Sequence, residues 1–100
     1  GIRVEPCGHC GDGNIHTEML RGADMSDEEW KRATHASLTE LYALSKKLGG
    51  QLSGEHGIGS GKVAFLAESM GDVNMRLMEE IKKVFDPNLI LNPGKVCYKL

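Results

Sequence analysis

Seven of the 13 glycines fall in two short stretches, Gly8 to His16 and Gly54 to Gly61, and these stretches also hold three of the four histidines. Glycine at this density loses too much backbone entropy in a helix and gives a strand too little to pack, so both stretches read as tight loops. Regular elements must be fitted around them. Ile2 and Val4 alternate with polar residues, making Gly1 to Pro6 a short strand. Cys7 to Asn14 is then the first loop, and Ile15 to Leu20 a second strand with Ile15, Thr17 and Met19 on one face and His16, Glu18 and Leu20 on the other. Ser26 ahead of Asp27, Glu28 and Glu29 is a capping box, because a hydroxyl at the N-cap and a carboxylate three residues on satisfy free backbone donors. The helix it opens carries Trp30, Leu38, Leu41, Leu44 and Leu48 and stops at Gly49-Gly50. Gln51 to Ser53 is a candidate strand. Lys62 to Met70 is a short helix ended by Gly71, and Asp72 caps a third helix striped by Leu77, Met78, Ile81, Val84 and Phe85. Asp86-Pro87 ends that helix, and the tail, Asn88 to Leu100, is loop with a little strand around the turn Asn92-Pro93-Gly94-Lys95. The class is α+β.

Composition narrows the functions open to such a chain. At 100 residues it is one domain at most. Leu, Ile, Val and Phe make up 23 residues, above the level of roughly 20% below which charged chains tend to be disordered. A net charge of −2 without a basic run argues against nucleic acid or an anionic membrane as the main partner. The longest apolar run, Val63 to Ala67, is far too short for a membrane span. Three cysteines, an odd number, point to reduced thiols and a cytoplasmic setting.

Several constellations carry chemistry. Cys7-Gly8-His9-Cys10 spells a thiol–disulfide active site, but that chemistry needs the first Cys at a helix N-terminus, and Gly-Asp-Gly-Asn after Cys10 starts no stable helix. A structural zinc site from Cys7, Cys10, Cys97 and a His lacks a second Cys pair, so loop thiols are the simpler reading. The second loop fails as a phosphate cradle, with His56 where a Walker loop needs Gly and Val63 where it needs Ser or Thr. His9 and His16 flank the first loop, and Glu55 and His56 sit in the second. Two imidazoles and a carboxylate are the composition of a catalytic zinc site with an open fourth position. Surface turns with stray histidines are the competing reading, and two such loops in one short chain favour a site. His35, mid-helix, reads as a surface residue, and Asp27-Glu28-Glu29 as helix capping.

Taken together, Gly8-His9-x-Gly11-Asp12-Gly13-Asn14-x-His16, then Ser53-Gly54-Glu55-His56-Gly57-Ile58-Gly59 with Lys62, then Asp86-Pro87 with Leu91-Asn92-Pro93-Gly94-Lys95, are specific in order and spacing. They resemble the C-terminal end of the FAD-linked oxidases that act on D-2-hydroxy acids, a family that includes D-lactate dehydrogenase, the glycolate oxidase FAD subunit and D-2-hydroxyglutarate dehydrogenase. The resemblance covers nearly the whole chain. It implies part of a ferredoxin-like cap domain plus C-terminal helices, with a large N-terminal FAD-binding domain lying outside residues 1–100, so the chain reads as a fragment of a larger enzyme that does not hold FAD alone.

Residue by residue, the resemblance implies that His9, His16 and Glu55 bind a divalent metal, zinc foremost. His56 is then the base at the substrate's α-hydroxyl and Asn14 orients the first loop beside the substrate. Asn92 and Lys95 lie in the segment returning to the flavin. Where some members place an Asn that meets the substrate, this chain has Glu18. A carboxylate there repels a second acid group, which favours lactate or glycolate over 2-hydroxyglutarate. The implied acceptor is an electron-transfer flavoprotein or an iron–sulfur subunit, and the implied location is the cytoplasm or the membrane periphery. An exposed cap-domain edge suggests self-association. The alternative is a stand-alone metal-binding or interaction module without catalysis, and the reading frame upstream of Gly1 separates the two.

Overall fold

The computed structural model describes residues 2–97, so Gly1 of the first expected strand and residues 98–100 of the expected tail lie outside the described residues. The chain divides into two compact units, Gly1–Glu55 and His56–Leu100. The first unit holds strand β1 (Arg3–His9), strand β2 (Asn14–Leu20) and helix α1 (Asp27–Lys47). The second holds helix α2 (Val63–Phe85) and the tail that follows it.

β1 and β2 form an antiparallel hairpin in unbroken register from Arg3 opposite Leu20 to His9 opposite Asn14. The strand therefore runs three residues past the expected Pro6, into what the glycines marked as loop. The loop shrinks to one turn of 3-10 helix, Cys10–Asp12, closed by Gly13 in the left-handed region at φ 68°. Glu5 and Glu18 face each other directly across the hairpin, a repulsive pairing that the Arg3 guanidinium offsets by bonding Glu5. Gln51–Ser53 forms no strand; the one sheet among the described residues is this hairpin.

Arg21, just past β2, holds the turn into α1: its guanidinium donates to the Met25 carbonyl at 2.6 Å and pairs with Asp27 at 2.6 Å. The capping box forms as expected, with the Glu29 amide on Ser26 Oγ at 3.2 Å and the Ser26 amide on Glu29 Oε2 at 2.9 Å. These bonds, foremost those from Ser26, hold the Glu29 carboxyl below its ordinary pKa. At the other end Gly50 N–H bonds Ser45 O at 2.8 Å and Gly49 N–H bonds Lys46 O at 3.1 Å, with Gly49 at φ 80°. This is a Schellman motif, which is why the helix stops where the glycine pair said it would.

In the second unit Gly71 adopts φ 74° and ψ 165° inside α2 and splits it into two helical pieces, as the glycine predicted. Val63 and Leu66 in the first piece are the buried apolar residues among those described. The stripe expected to be core on the second piece is largely exposed: Leu77, Ile81, Val84 and Phe85, with Val73, are all more than half exposed. The amphipathic stripe is present but only partly covered, Ile81 lining a groove with Met78 and residues of the tail.

Asp86, 4% exposed, ends α2 with a clamp. Its carboxylate accepts from the amides of Ile90 at 3.1 Å and Leu91 at 2.9 Å, and Lys82 Nζ bonds both Asp86 Oδ2 at 2.6 Å and Leu91 O at 2.8 Å. The sequence showed Asp86-Pro87 only as a helix stop. The Lys82 bond above all holds the Asp86 carboxyl below its ordinary value, so the clamp's stabilisation is complete above the unfolded-state pKa near 3.8 and is lost as pH falls through the lower folded-state value. Asp86→Asn should therefore melt at lower temperature than the parent at pH 7, and the gap should narrow as pH falls below 3.8. Thermal melts by circular dichroism across pH 2–7 (a range of about five units, wide enough to cover both carboxyl states) check this.

Candidate metal centre on the hairpin

The hairpin register explains the spacing of the first motif. His9 lies opposite Asn14, and Cys7 opposite His16. Opposed residues share a face, as do residues two apart on a strand, so Cys7, His9, Asn14 and His16 stand on one face with the Glu5–Glu18 pair next along. His9 and His16 are diagonal neighbours there, which is what their separation in sequence encodes. Their rings lie 5.9 Å apart and nearly perpendicular, at 79°.

Glu55 completes the group. Its Oε1 is 2.9 Å from His16 Nε2 and 3.3 Å from His9 Nε2, and Asn14 Nδ2 donates to the same oxygen at 3.0 Å. One ligand atom from each of His9, His16 and Glu55 lies within 4.8 Å of the others. Zinc bonded at about 2.1 Å in a tetrahedron sets its ligands about 3.4 Å apart. The observed His–Glu distances of 2.9 and 3.3 Å are close to that edge. His16 is the sheltered member, with 23% of its side chain exposed, and His9 the open one at 61%, so the group is approached from the His9 side.

Two glycines make room for this arrangement. A Cβ on Gly54 would meet the Asn14 side-chain oxygen at 2.1 Å, and a Cβ on Gly8, whose φ is +152°, would meet the Asn14 carbonyl oxygen at 2.3 Å. Each loop motif thus contributes a glycine that seats the same asparagine.

The remaining expected site residues are placed as follows. Glu18 is exposed on the His16 face of β2. His56 follows Glu55 in the chain and opens the second unit. Asn92, at φ 48°, and Lys95 line a groove of about 380 Å³ walled by Met78, Ile81, Val96 and Cys97 within that unit. His35 is on the exposed face of α1. Cys7 and Cys10 are free and exposed, and the short turn after His9 provides no helix end for thiol chemistry. Among the described residues no cysteine joins the group of potential metal ligands. The Asn14–Glu55 bond was not foreseen; its partners stand 41 residues apart, and the only hint was that Asn14 immediately follows the turn that presents His9.

An imidazole pair on the hairpin and a carboxylate from the loop after α1 make a group of metal-ligand type, and comparison with known proteins supplies the family of the chain. Residues 1–96 match the family described as FAD linked oxidases, C-terminal domain, and the chain belongs to that family. It is 53% identical over 99 residues to a D-lactate dehydrogenase of Anaerostipes hadrus, covering 99% of this chain and 21% of that protein. It is 36% identical over 89 residues to a D-2-hydroxyglutarate dehydrogenase of Stutzerimonas stutzeri, covering 89% of this chain and 19% of the relative. With a glycolate oxidase subunit of Bacillus subtilis it shares 34% identity over 98 residues, 98% of this chain and 20% of the relative. The chain thus spans about a fifth of the length of the curated relatives it matches. No solved structure matches it at a significant level.

Gly8→Ala should break the hairpin next to His9, since a side chain there is strained in φ and collides with the Asn14 backbone. A loss of about 1–3 kcal/mol is expected for such a backbone conformation. Hydrogen exchange of the β1 and β2 amides should report it as faster local opening, with α2 unaffected.

Proposed function

We propose that this chain is the C-terminal part of a flavin-dependent dehydrogenase that oxidises the α-hydroxyl of a small D-2-hydroxy acid to a ketone, with hydride passing to FAD. The observation that carries the reading is the convergence of His9, His16 and Glu55 on one point of a hairpin face, in a chain of this family. Membership supports FAD as the cofactor, and the names of the relatives support a small 2-hydroxy acid as substrate, with lactate favoured by the 53% identical relative.

In this reading His9, His16 and Glu55 hold a divalent metal. The donor set suits zinc: two imidazole nitrogens and one carboxylate oxygen, with His–Glu separations of 2.9 and 3.3 Å near the tetrahedral edge. When bound, such a metal supplies polarisation of the substrate's hydroxyl and acid oxygens. His56, next in sequence to a ligand, takes the hydroxyl proton. Asn92 and Lys95 offer a carboxamide and an ammonium at the rim of an apolar groove, which suits one edge of a flavin rather than the whole cofactor. Glu18 is exposed on the same face as His16, and in this reading its charge disfavours a substrate with a second carboxylate. Electrons then leave to a protein acceptor, an electron-transfer flavoprotein or an iron–sulfur subunit, with the enzyme in the cytoplasm or at the membrane periphery. No helix among the described residues is long and apolar enough to cross a membrane.

In the full-length enzyme His9→Ala and His16→Ala should lose metal and turnover together. His56→Ala should keep the metal, measured by elemental analysis, yet lose kcat by roughly 10²–10⁴-fold, the scale of a general base. Metal lost with His56→Ala but kept with Glu55→Ala would reverse the two adjacent roles. Glu18→Gln should raise kcat/KM for 2-hydroxyglutarate relative to lactate by about tenfold, the effect of removing about 1.4 kcal/mol of repulsion; an unchanged ratio removes Glu18 from substrate selection.

A further inference from the structure

We infer that Asn14 is a positioning residue for the metal ligand Glu55, locked into place by the missing side chain of Gly54, rather than a residue that meets substrate. The inference rests on the metal reading above and adds to it a residue that acts through a ligand. Three observations carry it. Asn14 Nδ2 donates to Glu55 Oε1 at 3.0 Å, the same oxygen that faces both imidazoles. The Asn14 side chain occupies the space a Cβ on Gly54 would take, 2.1 Å from its oxygen and 2.5 Å from its Cγ. Its backbone is held as well, because the Asn14 carbonyl lies where a Cβ of Gly8 would stand.

The chemistry of the carboxamide suits the task. Its N–H₂ donates only, so it binds Glu55 as an acceptor carboxylate, and the amide nitrogen, its lone pair delocalised into the carbonyl, does not compete as a ligand. With one direction of Oε1 taken by Asn14, the approach left to that oxygen is the side on which His9 and His16 stand. A carboxylate held by a fixed hydrogen bond is a stronger and better directed ligand, and loss of such a partner typically weakens metal binding by about 10–100-fold. Asn14→Asp would keep the shape, lose the donor and set a second negative charge against Glu55.

The test has two arms on the intact protein. In the first, asparagine-selective ¹⁵N labelling of metal-free protein follows the Asn14 side-chain amide. Its protons should be protected from exchange, and Glu55→Ala should abolish the protection; an amide indifferent to Glu55 overturns the assignment. In the second, zinc affinity is measured by competition with a chromophoric chelator for the parent, Asn14→Ala, Gly54→Ala and the double variant, with folding checked by circular dichroism. Each single variant should bind zinc about 10–100-fold more weakly, and the double variant no more weakly than Asn14→Ala alone, because Gly54→Ala acts only by displacing Asn14. Additive losses overturn the proposal, as does full affinity in Asn14→Ala. A parent that binds no zinc overturns the metal reading itself, and the amide arm still shows whether Asn14 holds Glu55.

Discussion

A slip of one residue in the pairing of β1 with β2 would put His9 and His16 on opposite faces, and everything proposed for the hairpin depends on that not happening. The register is fixed where it matters most, at the turn. Cys10–Asp12 closes as a single tight turn onto Gly13, and the close approach of Gly8 to the Asn14 backbone admits no side chain. Backbone geometry at two glycines, more than side-chain packing, sets the direction of both imidazoles. This hairpin has no buried apolar face of its own among the described residues, so the turn is its chief source of register.

Two carboxylates organise the two units in the same way. Glu55 gathers a carboxamide and two imidazoles from the hairpin, and Asp86 gathers two backbone amides and an ammonium at the end of α2. The difference lies in exposure. Asp86 is nearly buried and its donors are all structural, so it fixes the chain leading to Asn92. Glu55 is half exposed, and two of its three neighbours are themselves metal-ligand types, which is the feature the proposed function rests on.

How far the sequence could be read follows from the range of each interaction. The capping box at Ser26, the stop at Gly49-Gly50 and the break at Gly71 are decided within a few residues, and all were legible. The site's residue types were legible too, because His9, His16 and Glu55 stand in motifs with distinctive spacing. The end of β1 was not: Cys7-Gly8-His9 looks like loop, and only the partner strand shows that Gly8 permits a close approach instead of breaking the pairing. The failure of Gln51–Ser53 as a strand has the same origin, since a strand needs a neighbour that local sequence does not reveal. The Asn14–Glu55 contact and the exposed stripe of α2 depend on which distant atoms come close, or do not, and no local pattern contains that.

The left-handed Gly71 also divides the electrostatics of α2. Peptide dipoles add only along an unbroken helix, so the break resets the sum and gives the second piece its own positive and negative ends. Asp72 then stands at a positive end, not in mid-helix, and Lys82 and Lys83 at the matching negative one. Lys82 reaches Asp86 and the Leu91 carbonyl from the end of the second piece at which its own charge is favoured.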